Sequence, residues 1–152
     1  MPVIVVGADT NVGRAVIETL LSGNGEIRAF VTDPEGGEAL KAAHAKVAIG
    51  DVSDASHIGG AALGAHSAVL MADAASDDRE RAFAAGPEEV FAAWAEGLQD
   101  AGVARAIWVG DEGPSPRVLS AVPETMTVPT GGRSPQDVAA EVADLDDRPS
   151  WA

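Results

Sequence analysis

Cysteine and tyrosine are both absent from the 152 residues, and lysine occurs only as Lys41 and Lys46. Without cysteine there are no disulfides, no thiolate nucleophile and no thiolate metal site, although the compartment stays open on that ground. Without tyrosine there is no phenolic proton donor. Positive charge is scarce: ten basic residues face twenty-four acidic ones, a formal charge of −14. A nucleic-acid binder needs a basic footprint, and none is visible. An anionic cofactor is still admissible, because backbone amides at a helix start hold phosphate locally. The surrounding field opposes it, more strongly at low salt. No apolar run reaches the roughly 18 residues of a membrane span, and the start of the chain lacks a basic-then-apolar signal pattern. The expected location is the cytoplasm. Apolar residues are nevertheless 46% of the chain, many of them alanine, which excludes a disordered chain. The length suits one domain, expected over 1–147 with a loose tail at 148–152.

The richest stretch is the first. Val3-Ile4-Val5-Val6 reads as a fully buried strand and is followed at once by Gly7-Ala8-Asp9-Thr10-Asn11-Val12-Gly13. Val12, Val16, Ile17, Leu20 and Leu21 then share one side of a helix over 11–22, which Gly23-Asn24-Gly25 ends. Strand, glycine-marked turn and helix form the opening unit of a dinucleotide-binding fold. Further strands are expected at 27–31, 47–49, 67–71 and 106–109. A helix is expected over 35–45, a short one capped by Asp54 runs to Leu63, and others cover 77–85 and the segment after Pro87. In that segment Val90, Phe91, Trp94 and Leu98 form an apolar stripe. Beyond Val109 the pattern weakens: 118–122 is ambiguous, 125–128 suits an edge strand, and Ser134-Pro135 opens a last helix. Strands alternating with helices predict a Rossmann-like, doubly wound α/β fold. Its mostly parallel sheet has five or six strands in order 3-2-1-4-5, with helices on both faces. The ligand crevice then lies where the order reverses, between strands one and four. The plainer alternative is the same sheet with an empty crevice.

Five ordered segments resemble the atypical short-chain dehydrogenase/reductase proteins of the NAD(P)H-binding, NmrA-like kind. Gly7 to Gly13 stands for the family's G-A-T-G-x-x-G, Arg28-Ala29-Phe30-Val31-Thr32-Asp33-Pro34 for R-A-L-V-R-D-P, and Gly50-Asp51-Val52 for G-D-[LV]. The segment from Ala101 to Val109 stands for A-G-V-x-R-x-[IV]-x-V, and Ser134 to Ala139 for S-x-x-D-V-A. The resemblance implies NAD or NADP as cofactor, with contacts at Gly7, Thr10, Asn11, Val12, Gly13, Thr32, Asp33, Asp51, Val52 and Ala72. It implies cofactor sensing or binding at least as readily as reduction.

The departures from the family pattern bear on function. Thr10 replaces the middle glycine, whose absence of a side chain lets backbone approach the pyrophosphate, and Asp9 adds negative charge beside it. Thr32 replaces the arginine that meets the extra phosphate of NADP, while Asp33 can accept hydrogen bonds from the adenosine ribose. NAD is therefore favoured over NADP. Arg14 and Arg28 are alternative sources of positive charge, or simply solvated or salt-bridged. The superfamily's tyrosine–lysine–serine set is missing, with Gly110 and Asp111 at the serine positions. The region 113–127 is short, which reads as a truncated substrate side that a second chain could complete.

Three other features carry weaker chemistry. His44, His57 and His66 lie on separate elements without metal-ligand spacing, so no metal site is expected. Asp73, Asp111 and Glu112 follow strands four and five at the crevice end, as do Asp77 and Asp78. As a paired set such carboxylates could do acid–base work on a small metabolite, or they could be ordinary hydrated loop residues. Phe83 or Phe91 could meet a second copy of the chain. Three functions stay open: an NAD(P)-binding, oxidoreductase-like protein without conventional Tyr/Lys chemistry, acting as a cofactor sensor or accessory subunit; a scaffold or regulatory protein that has lost the cofactor; and a cofactor-independent lyase or isomerase.

Overall fold

The computed structural model describes residues 1–23 and 25–151. Asn24 of the expected helix-ending turn and Ala152 of the expected tail lie outside the described residues.

Six parallel strands form one sheet in the order β3-β2-β1-β4-β5-β6. They are β1 (Val3–Val6), β2 (Ile27–Val31), β3 (Lys46–Ile49), β4 (Ser67–Met71), β5 (Arg105–Val109) and β6 (Glu124–Val128). The reversal falls between β1 and β4, where Val3 is in register with Ser67 and Val6 with Leu70. β6 is the edge strand read from 125–128, and it is parallel, pairing Val109 with Val128. The sheet is the expected one with that strand added.

The helices are α1 (Asn11–Leu21), α2 (Pro34–Ala42), α3 (Ala55–Ala62), α4 (Pro87–Ala101), α5 (Pro116–Ala121) and α6 (Pro135–Asp147). Four of them begin with proline one place inside the start, where its missing N–H costs nothing. Side chains of Thr10, Asp33, Asp54, Ser115 and Ser134 accept hydrogen bonds from the first turns of α1, α2, α3, α5 and α6.

The sheet is buried on both faces, which is why β1 reads as an unbroken apolar run rather than an alternation. Val3, Val5, Ala29, Val31, Val69, Ile107 and Val109 pack beneath α1, α2 and α6. Ile4, Val6, Phe30, Ala68, Leu70 and Trp108 pack beneath α3, α4 and α5. Trp94, fully buried, donates its Nε1–H to the Val52 carbonyl at 2.9 Å. That bond fixes the exit of β3 against α4. Phe91 is half-buried with its ring against Trp94 and Trp108, so the stripe of α4 is core, and only Phe83 of the two candidate contact rings is strongly exposed.

One expectation is corrected, and two segments that the sequence left open take a definite form. The segment 77–85 is not helical: a 3-10 turn, Ala72–Ala75, is followed by loop. Two of its backbone donors go to side chains of the loop after β3, Ala82 N–H to Asp51 and Phe83 N–H to Ser53, so they cannot close helical turns. The ambiguous stretch 118–121 belongs to α5, capped by Ser115, and Val122 ends that helix in extended conformation. The end of the chain is not wholly loose. α6 runs to Asp147, and the Trp151 indole donates to the Leu145 carbonyl at 2.9 Å beneath the guanidinium of buried Arg105, 3.9 Å from the ring centre. Arg105 in turn donates to the carbonyls of Leu145 and Arg148, satisfying the free end of α6.

Candidate functional site at the β1–β4 crevice

The turn between β1 and α1 is built around two glycines. Gly7 has φ +81°, a left-handed conformation, and a Cβ there would lie 2.7 Å from the Ala74 Cβ. At Gly13 a Cβ would collide with the Gly7 carbonyl oxygen and crowd Thr10 and Ala8. These are the tight turn and the close helix–strand packing that the dinucleotide fingerprint requires.

The sequence leaves the Thr10 side chain open as a replacement phosphate contact or as bulk that displaces the phosphates; in the fold it serves the turn itself. Its backbone is ordinary extended chain at φ −80°, ψ 162°, so a residue with a Cβ is unstrained there. Its hydroxyl is turned into the loop, accepting from Gly13 N–H at 2.9 Å and donating to the Gly7 carbonyl at 2.9 Å. Thr10 N–H and Arg14 N–H are also engaged within the turn. The two remaining first-turn donors, Asn11 and Val12 N–H, lack an intrahelical acceptor by position. Both residues line a hollow of about 510 Å³ with Asp9, Thr10, Met71, Asp73, Asp77, Arg79, Val109, Thr130 and Pro135. A glycine cradle and unclaimed helix-start donors fit a pyrophosphate.

The other expected contacts divide in two groups. Thr32 and Asp33 lie just beyond β2, around a second hollow of about 410 Å³ shared with Asp9, Asp77, Asp78 and Arg79. Asp33 is also the cap of α2, accepting from Glu35 N–H. Asp51 and Val52 lie beyond β3, where Val52 is buried and Asp51 is spoken for. One Asp51 oxygen accepts from the N–H and hydroxyl of Ser53, the other from Ala82 N–H at 2.7 Å. Burial pushes the Asp51 carboxyl up, but these donors and the charge of Arg81 outweigh it and hold it below the usual range. Ala72 is half-buried where Gly110 of the β5 exit approaches it.

Arg79, which sequence reading placed in a helix and gave no role, is the partition between the two hollows. Its Nη1 donates to Asp9 Oδ1 at 2.8 Å, while its Nε and Nη2 donate to the two oxygens of Asp77 at 2.7 and 2.8 Å. Asp9 completes the knot, its Oδ2 accepting from Thr32 N–H and Asp33 N–H, each at 3.0 Å. Burial raises the Asp9 carboxyl, yet the Asp33 N–H, the Arg79 guanidinium and the Thr32 N–H together hold it below its ordinary value. Two acidic residues flanking Arg79 in the sequence were the available signal, but nothing local shows that its partner lies seventy positions away.

The structure divides the crevice carboxylates: Asp73 and Asp77 line the larger hollow together, and Asp77 is also paired with Arg79. Asp111 and Glu112 are not among its lining residues. Asp111 braces the loop before α6, accepting from Thr130 N–H at 2.8 Å and Gly131 N–H at 2.7 Å, which lower its pKa. A carboxylate held ionised by two amides is a poor proton donor. The exposed Glu112 lends its backbone carbonyl to the Trp108 indole. Arg28 is at the other end of the strands, bonded to Glu26 and to the carbonyls of Ala61 and Leu63, and Arg14 bonds Asn11. Among the described residues, no group of three or more acidic or histidine side chains could hold a metal ion, and no helix is long and apolar enough to cross a membrane.

Sheet order, glycine cradle and crevice position together define a doubly wound, dinucleotide-type α/β domain. The model of the NAD(P)H-binding family matches residues 7–145, and the chain belongs to that family. No curated protein matches it. Among solved structures it is similar to a Citrobacter sp. triphenylmethane reductase, at TM-score 0.78 and 15% identity, over 99% of this chain and 66% of that one. It is also similar to ChuY, an anaerobilin reductase from Escherichia coli O157:H7, at TM-score 0.70 and 17% identity, over 99% and 92%. A third is the E. coli NADPH-dependent quinone oxidoreductase QOR2 complexed with NADPH, at TM-score 0.60 and 17% identity, over 95% and 45%. The chain thus spans just under two thirds of the first of these, most of the second and less than half of the third. At such identities the likeness is one of fold.

Proposed function

We propose that this protein binds a nicotinamide dinucleotide across the β1–β4 crevice. In this reading it is a reductase-type domain without the conventional tyrosine–lysine apparatus, serving as a redox-cofactor sensor or as an accessory subunit. The observation that carries it is the Gly7–Gly13 turn, with Asn11 and Val12 at the start of α1, whose N–H groups have no intrahelical acceptor, lining the hollow. A bound dinucleotide would donate a hydride in its reduced form or accept one in its oxidised form. This chain supplies the phosphate cradle, the walls at Met71, Val109 and Thr130, and no tyrosine to donate a proton. The NADPH-bound neighbour supports a nicotinamide dinucleotide here, and as to which one it speaks for NADP, against the NAD preference read from Thr32 and Asp33. The lyase or isomerase reading loses support at Asp111, whose carboxylate is spent on bracing the loop before α6.

Calorimetric titration with NAD, NADH, NADP and NADPH tests the proposal. Saturable binding of at least one at micromolar concentration is expected. No heat and no thermal shift with any of them at millimolar concentration would overturn it, leaving a scaffold whose crevice no longer takes the cofactor.

A further inference from the structure

Resting on that reading, we infer that Asp9 is a built-in substitute for the 2′-phosphate of an adenosine ribose. The crevice thereby selects NAD over NADP, and Arg79 is the side chain that takes the phosphate once Asp9 is removed. Asp9 and Arg79 are specificity-determining residues in a region whose family pattern carries neither an aspartate in the turn nor this loop arginine as the phosphate contact.

The donor set around Asp9 is one that suits a phosphate monoester. Two consecutive backbone amides, Thr32 and Asp33, and one guanidinium converge on its carboxylate, and the Thr32 hydroxyl lies 3.5 Å from the same Arg79 nitrogen. Amides and arginine together are the usual grip on a doubly charged oxyanion. Here the anion already in the grip belongs to the protein, and its side chain is only 5% exposed. A 2′-phosphate arriving at the smaller hollow meets donors already committed. It also meets four carboxylates, Asp9, Asp33, Asp77 and Asp78, against the single cation Arg79. A ribose diol carries no charge and donates hydrogen bonds to carboxylates, so the same lining favours it.

Arg79 does not depend on Asp9 for its place. Its Nε and Nη2 make the paired contact with Asp77, and Asp77 is held further by Arg81. Removing the Asp9 carboxylate therefore leaves Thr32 N–H, Asp33 N–H and a guanidinium already aimed at the vacated position, with no reorganisation needed to receive phosphate.

The test is calorimetric binding of NADH and NADPH, and of AMP and adenosine 2′,5′-bisphosphate, to the full chain and to Asp9→Ser, Asp9→Asn and Asp9→Ser/Arg79→Ala variants. A thermal melt establishes that each is folded. The two smaller probes report the adenosine end alone. The full chain is expected to bind NADH at least tenfold more tightly than NADPH, and AMP likewise over the bisphosphate. Asp9→Ser is expected to shift both ratios toward the phosphorylated ligand by tenfold or more, and Arg79→Ala added to it to cancel the gain. Asp9→Asn, isosteric and neutral, keeps an oxygen for the two amides and isolates the charge; it shifts the ratios in the same direction. Preference of the unmodified chain for NADPH, or unchanged ratios in the Asp9 variants while both nucleotides bind, overturns the inference and leaves the proposed cofactor binding standing. Failure of every nucleotide to bind the unmodified chain and its variants overturns both.

Discussion

Replacing Arg79 by alanine should be among the more damaging single changes outside the core. The side chain is 10% exposed and its partner Asp9 is 5% exposed, so the pair lies beneath the surface, where solvent screening is weak. Deleting one member of a buried ion pair costs about 3–5 kcal/mol, because the other is left charged without its counter-ion. Two features moderate this. Asp9 keeps its hydrogen bonds from Thr32 and Asp33, and Asp77, a third exposed, keeps Arg81. The low end, about 3 kcal/mol, is therefore the expected loss. For a chain of this size that lowers Tm by roughly 6–12 °C at 2–4 °C per kcal/mol. Equilibrium denaturation and calorimetry at pH 7 read it directly. The sign of its pH dependence is fixed as well. Asp9 is depressed in the folded state, so its stabilising contribution is full above the unfolded value near pH 4 and fades as pH falls through the lower folded value. The Arg79→Ala penalty should shrink over the same interval. A loss below about 1 kcal/mol at pH 7, of the size expected for an exposed pair, would mean that the 77–83 segment is not anchored through Asp9, and the partition described above would fall with it.

Gly13→Ala should abolish dinucleotide binding and destabilise the fold by about 1–3 kcal/mol, since its Cβ has no room beside the Gly7 carbonyl and no rotamer can move it; wild-type affinity in a folded variant would show that the turn is not the phosphate cradle. Acid should destabilise the protein progressively below about pH 5, because Asp9, Asp51, Asp77 and Asp111 are all depressed in the folded state and their contribution is lost as each takes a proton. Asp146 runs the other way. Its burial raises the carboxyl against the opposing charge of Arg105, so its charged form weakens the fold above that raised value. Asp146→Asn should raise stability at neutral pH and lose its advantage in acid, as denaturation midpoints at pH 7 and pH 3 would show.

Much of this molecule is determined locally. Gly7 and Gly13 each do a job no other residue can do at that point of the turn, the apolar runs of β1 and β4 are buried on both faces, and proline or a capping side chain opens the helices. Each signal lies within a few residues of its effect, so strand order, crevice position and the cofactor family follow from the chain read in order. Thr10 was legible as a substitution but not in its consequence, because whether its hydroxyl faces the ligand or the loop depends on carbonyl and amide positions fixed only when the turn closes. The segment 77–85 shows the same limit more sharply. Its composition suits a helix, and only its contact with the ends of β1, β2 and β3 recruits its amides and arginines elsewhere. What the tertiary structure alone decided is the state of the site's charges. Asp9, Asp51 and Asp111 are merely acidic residues in sequence, but folding brings each at least one donor from chain 19 to 70 positions away. Hydrogen bonding and ion pairing depend on distances of a few ångströms, and no local pattern encodes those between remote segments.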